Sequence, residues 1–122
     1  MGMGHKKWCI PDMFMKEPTN KDVPSHESIS FINTGEEDAT VEITAVFEDD
    51  RKPIIIRDVV VEPMKSLHFR MDKLDKWNIS IPTETPYSVF INSNQNVVVE
   101  YARLNWIEGK MQSFGTMAYY ED

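Results

Sequence analysis

Short runs of alternating hydrophobic and polar residues recur along the chain, separated by residues that favour turns. The clearest run is Thr40–Phe47, where Val41, Ile43, Ala45 and Phe47 alternate with mostly polar residues. Successive side chains of a strand point to opposite faces, so this run predicts a half-buried strand. The preceding run, Ser28–Asn33, is joined to it through Gly35, and glycine suits a tight turn. The stretch therefore predicts an antiparallel hairpin.

Six further runs have the length and residue types of strands. They are Lys7–Ile10, Ile54–Glu62, Ser66–Met71, Tyr87–Asn92, Val97–Trp106 and Ser113–Tyr120. No run keeps a helical period, and only Asp72–Trp77 resembles a single helical turn, with Asp72 as its predicted N-cap. The pattern predicts an all-β fold, an antiparallel β-sandwich of about eight strands with a jelly-roll-like character.

The breaks between runs carry predictions of their own. Pro11 should end the first strand because proline cannot donate to a ladder. Asp12–Pro24 reads as a long loop, and its apolar Met13–Met15 would need cover, for example from a neighbouring subunit. Ser93–Asn96 reads as a polar turn, and Gly115 as a bulge in the last strand.

Composition narrows the class of protein. At 122 residues the chain predicts one domain spanning residues 1–122. The net charge of -7 disfavours direct nucleic-acid binding because phosphates would be repelled. A single cysteine excludes an internal disulfide, and the N-terminus shows no apolar signal segment. We therefore expect a cytoplasmic location.

Two strands carry the strongest candidates for ligand contacts. His68 and Arg70 share a polar face opposite Leu67 and Phe69. A histidine and an arginine that project together can bind hydroxyls or a carboxylate. The alternative is a solvated face or an intersubunit salt bridge, since surface ion pairs are common.

On the long strand, Arg103 and Glu100 alternate onto opposite faces. Glu100 would be costly to bury unpaired, which suggests Arg70 or Arg103 from another strand or subunit as its partner. A polar cluster of His68, Arg70, Glu100 and Arg103 beside an aromatic ring would suit a sugar. A structural ion-pair network at a subunit interface explains the same residues.

His26 and Glu27 open the second strand, where adjacent residues point to opposite faces. They are candidate ligand contacts, or else Ser25 and Glu27 satisfy neighbouring donors at the strand entry.

Sequence signatures of enzymes are absent: the chain has no nucleophile elbow, P-loop, dinucleotide fingerprint or HExxH motif. A cupin-like zinc site from His26, His68 and a carboxylate remains a third alternative, but the spacing is not diagnostic. We predict no catalytic residues, no metal ligands and no cofactor.

Several motifs together resemble one family, the Anabaena sensory rhodopsin transducer family. They are Trp8, Ser25-His26-Glu27, the run NxGxxDAxVEIT from Asn33 to Thr44, His68 with Arg70, Ser93-Asn94, Val98-Val99, Arg103-Leu104 and TxAY from Thr116 to Tyr119. The resemblance covers nearly the whole chain. It implies a small β-sandwich that assembles as a homotetramer, and a possible role in binding sugars or related metabolites. Its founding member is the partner of a membrane rhodopsin. For this chain, a rhodopsin partner is expected only by analogy with that member.

Together these observations predict a non-enzymatic, cytoplasmic domain that binds a small molecule or transduces a signal as a homo-oligomer. Its candidate ligand contacts are His26, Glu27, His68, Arg70, Glu100 and Arg103. The alternative is a protein-interaction adaptor without a ligand, which would use Met13–Met15 and the C-terminal Tyr119–Asp122.

Overall fold

The computed structural model describes residues 2–122. Eight strands form the fold: β1 (His5–Phe14), β2 (His26–Asn33), β3 (Ala39–Phe47), β4 (Ile54–Val61), β5 (Lys65–Arg70), β6 (Pro86–Ile107), β7 (Lys110–Met117) and β8 (Tyr119–Glu121). A 3-10 turn at Asp75–Trp77 lies between β5 and β6. The predicted all-β antiparallel sandwich of about eight strands is confirmed.

The two layers share one strand. Sheet I has the order β4-β3-β6-β1-β8, and sheet II contains β5, β2, β6 and β7. The first part of β6 pairs with β1 and β3, and the later part pairs with β2 and β7. Because β6 belongs to both layers, it sets the position of one sheet relative to the other.

Alternation along β6 separates the core from the outer faces. Tyr87, Val89, Ile91, Val97, Val99 and Tyr101 are buried between the sheets. The partner strands add apolar residues at matching positions, such as Ile43 opposite Ile91 and Phe31 opposite Val99. The predicted inward face of β3 is confirmed, since Val41, Ile43 and Ala45 are fully buried.

The first strand is longer than the sequence predicted. β1 continues past Pro11 to Phe14, with a register shift between Ile10 and Met13 and a positive φ at Asp12. Proline is tolerated in a bulge, where no ladder donor is required, so the prediction that Pro11 ends the strand is wrong. Met13 is 0% exposed and Met15 is also buried, so the core of the same chain covers these side chains.

The predicted polar turn at Ser93–Asn96 is also wrong, because β6 runs through it. The pairing with β1 shifts register here, and Asn94 Oδ1 accepts a hydrogen bond from the Thr40 amide at 2.8 Å. The polar residues therefore satisfy neighbouring backbone groups where β6 passes from sheet I to sheet II.

Two predictions near other strand ends are corrected as well. The last strand divides at Ala118 into β7 in sheet II and β8 in sheet I, and Gly115 pairs in unbroken register with Ala102. Leu74 occupies the N-cap position of the 3-10 turn, which has no side-chain cap. Asp72 instead accepts two hydrogen bonds from Arg70, a charged partner stronger than a backbone amide.

Asn33 joins the β2–β3 turn to β4 from a fully buried position. Its Nδ2 donates to the carbonyls of Glu37 at 2.8 Å and Val61 at 2.9 Å, and its Oδ1 accepts from the Gly35 amide at 2.9 Å. One amide side chain thus satisfies three backbone groups.

We expect Asn33→Ala to destabilise the fold by about 2–3 kcal/mol, because it leaves buried carbonyls without donors. The thermal midpoint should fall by roughly 10 °C in a calorimetric scan. Asn94→Ala is the matched control, since it removes a single exposed hydrogen bond and should cost less than about 1 kcal/mol. Equal losses in the two variants would contradict this role for Asn33.

Candidate functional site

A buried carboxylate lies between the two sheets. The Glu27 side chain is 0% exposed, and its carboxylate accepts hydrogen bonds from three donors. Its Oε1 accepts from the Tyr87 hydroxyl at 2.7 Å, and its Oε2 accepts from the Tyr101 hydroxyl and from the Phe14 amide at 3.0 Å. A buried charge needs such partners, and here they come from β1 and from both parts of β6.

Arg103 extends this cluster towards the edge strand β7. Its Nε donates to the Tyr101 hydroxyl at 2.9 Å, and its Nη2 donates to the Asp12 carbonyl at 3.1 Å and lies 3.5 Å from Glu27 Oε2. The guanidinium also lies 5.5 Å from the centre of the Phe114 ring. Arg103 therefore links the buried carboxylate to β7.

The protonation states of this cluster follow from its burial. Burial, and then the Glu27 carboxylate, raise the pKa of Tyr87 well above its usual value. Burial and the hydrogen bond to Glu27 also raise the pKa of Tyr101. Burial acts to lower the pKa of Arg103, but Tyr101 and Glu27 outweigh it and raise the value. Both tyrosines are neutral donors and Arg103 is a cation at neutral pH.

The outer face of sheet II carries a different site, a groove of about 410 Å³ that we call the outer groove. Side chains from β2, β5, β6 and β7 line it, among them His26, Ser28, His68, Glu100, Leu104 and Ser113. They share one face because strand pairing places Ser28 opposite Ala102 and Leu104 opposite Ser113. The groove thus combines imidazole, carboxylate and hydroxyl groups over a partly apolar floor.

The two histidines of the outer groove are held differently. His26 Nδ1 lies 2.7 Å from the Pro24 carbonyl, which can only accept, so Nδ1 must donate. This arrangement leaves Nε2 of His26 for another partner. His68 is exposed, and its Nδ1 lies 3.3 Å from the Ser30 hydroxyl.

Arg70 lies outside the outer groove and is occupied by Asp72. Its Nε and Nη2 each donate to the Asp72 carboxylate at 2.7 Å. Burial acts to raise the pKa of Asp72, but the Arg70 hydrogen bonds and charge outweigh it and hold the pKa below its usual value. A bidentate pair of this kind keeps Arg70 in place.

The structure thus divides the six candidate residues between three places. His26, His68 and Glu100 line the outer groove, and Arg103 forms part of its wall while its side chain reaches the Glu27 cluster. Glu27 is buried behind the sheet, and Arg70 pairs with Asp72. Within residues 2–122, Glu100 has no ion pair, so neither Arg70 nor Arg103 is its partner within the chain.

The sequence did not identify the partners of Glu27. Tyr87 and Tyr101 are 14 residues apart on one strand, and both reach Glu27 only because β6 pairs with both sheets. No local pattern marked either tyrosine as inward-facing. The structure buries Tyr87 and Tyr101 and leaves exposed Glu100, the side chain for which burial was expected to be costly.

No three histidine, cysteine, aspartate or glutamate side chains in residues 2–122 are placed to hold a metal ion. No helix in that range is long and apolar enough to cross a membrane.

The fold and the two clusters define a small all-β sandwich domain with a buried charged network and a polar groove on one outer face. A family model described as Anabaena sensory rhodopsin transducer matches residues 3–120. The chain belongs to this family. The resemblance noted in the sequence is confirmed, and membership of a family of transducers implies a signal-transducing domain. Transducers of this kind are typically non-enzymatic.

Solved structures agree with this assignment. The crystal structure of Thermotoga maritima 1070 is 38% identical, covers 97% of this chain and 96% of its own, and superposes with a TM-score of 0.87. The Anabaena sensory rhodopsin transducer is 30% identical, covers 87% of this chain and 93% of its own, and gives a TM-score of 0.75. No curated protein matches the chain.

The tyrosines around Glu27 predict a loss of stability in alkali. Their raised pKa values mean that folding favours the protonated form, so this stability is full below about pH 10 and falls as the pH rises above it. Tyr87→Phe should be less stable than the wild type at pH 7 but should lose stability less steeply above pH 10. Urea unfolding between about pH 8 and 11 measures both effects.

Tyr120→Phe is the control for this prediction, since Tyr120 lies outside the Glu27 cluster and is exposed. It should keep the alkaline profile of the wild type. Identical slopes above pH 10 for Tyr87→Phe and the wild type would contradict the prediction.

Proposed function

We propose that this chain is a non-enzymatic, cytoplasmic, homo-oligomeric domain that binds a small polar metabolite in the outer groove and passes the binding signal to a protein partner. The observation that carries the proposal is the convergence of His26, His68, Glu100 and two serines on one groove. A mostly preformed concavity with a few convergent polar groups is the usual form of a small-molecule site.

The chemistry of the outer groove favours a ligand rich in hydroxyls, such as a sugar or a related metabolite. Glu100 offers acceptor oxygens, the serines can both donate and accept, and His26 has one ring nitrogen without a hydrogen-bond partner among residues 2–122. Ala102 and Leu104 add apolar surface for the C–H side of such a ring. Arg103 and the buried Glu27 support the groove from behind the sheet.

The assembly we propose is a homotetramer whose contacts include the β7 patch, defined as Ile107, Met111, Phe114 and Met117. All four side chains are large, apolar and at least 40% exposed, and every residue of β7 is exposed. Strand alternation places Met111 and Met117 on the face of the outer groove and Phe114 on the opposite face, beside Arg103, so exposed apolar side chains flank this edge strand on both faces. Exposed apolar surface of this kind commonly marks a protein contact. Two buried polar atoms beside it, Asn105 Oδ1 and Trp106 Nε1, lack partners within residues 2–122.

Strand β7 contributes residues to both the outer groove and the β7 patch. Through this strand, ligand binding in the groove would be coupled to the contacts between subunits. Ser113 and Gly115 line the groove, while Met111 and Met117 of the same strand belong to the patch. A ligand that binds one position of β7 more tightly would shift the population of subunit arrangements. The Anabaena relative is named as the transducer of a sensory rhodopsin. By analogy the partner here is a signalling protein, and a membrane rhodopsin is one candidate.

The second candidate function is a protein-interaction adaptor without a ligand. The buried Met13 and Met15 cannot serve as its contact surface, but the β7 patch and the exposed Tyr119 and Tyr120 can. This candidate predicts partner binding that is indifferent to metabolites.

The ligand is tested by thermal unfolding against sugars, sugar acids and phosphorylated metabolites. A ligand at about 100 times its dissociation constant stabilises by roughly 2.7 kcal/mol, which should raise the midpoint by several degrees. The His68→Ala/Glu100→Gln double variant should lose the shift because both side chains line the groove. Ser66→Ala, on the same strand as His68 but outside the groove, should keep it.

No shift from any compound would contradict the small-molecule function. A shift that survives in the double variant would place the ligand elsewhere in the molecule.

The assembly is tested by light scattering coupled to size exclusion. We expect a mass near four times the 14.2 kDa of one chain. Met111→Glu/Met117→Glu should lower that mass, because charges in an apolar contact are costly to desolvate. Gln112→Glu adds a charge to the same strand without altering the β7 patch and should leave the assembly intact. A monomeric wild type would contradict the tetramer and favour the adaptor.

A further inference from the structure

The outer face of sheet I holds a feature that the outer groove does not use. Three neighbouring strands place a large, a small and a large side chain in one row, because Cys9 of β1 pairs with Phe90 of β6 on one side and with Tyr119 of β8 on the other. Phe90 is 43% exposed and Tyr119 is 62% exposed, while Cys9 is partly buried between them. We call this row the aromatic notch.

The dimensions of the aromatic notch suit one further ring. Neighbouring strands lie about 4.8 Å apart, so the strands that carry Phe90 and Tyr119 are separated by roughly 10 Å. Since non-bonded carbons approach to about 3.5–4.0 Å, a ring inserted between two others needs about 7–8 Å between their planes. The cavity at this position measures about 350 Å³ and is lined mainly by apolar atoms.

The polar groups of the cavity lie on one side of the notch. Lys7 pairs directly with Glu121 on β8 and with Asn92 on β6, two residues along from the aromatic row. Within residues 2–122 neither Lys7 nor Glu121 forms an ion pair, although Glu121 accepts from the Tyr119 hydroxyl at 3.3 Å. A cation and an anion therefore stand side by side next to an apolar slot.

This arrangement matches a molecule with a ring at one end and both charges at the other. We propose that the aromatic notch binds a free aromatic amino acid. The ring lies between Phe90 and Tyr119 over Cys9, the carboxylate contacts the Lys7 ammonium, and the ammonium contacts the Glu121 carboxylate. Neither a hydrocarbon nor a simple anion would use all three features. The site is on the opposite sheet from the outer groove, so it does not rest on the proposed function of that groove.

Cys9 makes this site directly measurable, since it is the single cysteine of the chain. In the full-length protein, L-phenylalanine should slow the alkylation of Cys9 by iodoacetamide, as followed by mass spectrometry, in a saturable way. For a ligand this small on an open face we expect a dissociation constant near 1 mM. L-Leucine has the same charges without the ring and should bind about two- to tenfold more weakly. 3-Phenylpropionate and 2-phenylethylamine each lack one charge and should also bind more weakly than L-phenylalanine.

Calorimetric titration of variants tests the charged contacts. Lys7→Gln and Glu121→Gln should each weaken L-phenylalanine binding by about two- to fivefold, the range of an exposed ion pair. Lys6→Gln makes the same change of charge one residue away and should leave binding unchanged. Phe90→Ser should abolish binding, and an unchanged thermal midpoint shows that each variant is folded.

Three results would overturn the proposal: no saturable protection of Cys9 below about 10 mM, equal protection by L-leucine and L-phenylalanine, or unchanged affinity in both charge variants. A small-molecule shift that depends on His68 and Glu100 could still occur in each case, so failure here is distinguishable from failure of the outer groove.

Discussion

The strand β6 is the constraint on which the rest of the structure depends. It is 22 residues long and pairs with four other strands, β1 and β3 in sheet I and β2 and β7 in sheet II. A strand that keeps its alternation through both sheets must place the same set of side chains inside throughout. The buried row from Tyr87 to Tyr101 follows from that continuity, and so does the alignment of the two layers.

The same alternation places the two polar clusters on opposite faces of sheet II. Glu27 and Arg103 point inwards, where a buried charge needs partners. Tyr87 and Tyr101 donate to the carboxylate, and Arg103 donates to the Tyr101 hydroxyl. Their immediate neighbours His26, Ala102 and Leu104 point outwards and line the outer groove. One stretch of sheet II thus carries a buried charged network on one side and a solvent-facing groove on the other. A ligand in the groove would lie against a strongly held backbone.

Two wrong predictions from the sequence have one physical cause: residues that favour turns can also lie inside a strand. Pro11 and Ser93–Asn96 both carry residues that favour a break, yet both lie inside strands at shifts of register. In each place the residues before and after the irregular stretch still pair with a neighbouring strand, Ile10 and Met13 with β6, and Ser93 and Val97 with β3 and β1, so the chain continues as a strand through the irregularity. Whether a proline or an asparagine ends a strand therefore depends on strands that lie far away in the sequence.

The sequence by itself determined which side chains share a face of each strand, because alternation is a local property of extended backbone. It also determined the all-β class and, through its motifs, the family. Only the tertiary structure decided which faces meet. It placed Tyr87 and Tyr101 on one carboxylate, paired Arg70 with Asp72, and brought His26, His68 and Glu100 to one groove. Those contacts depend on the order of strands across the two sheets, which is fixed by burial of the whole core and which no short stretch of sequence contains.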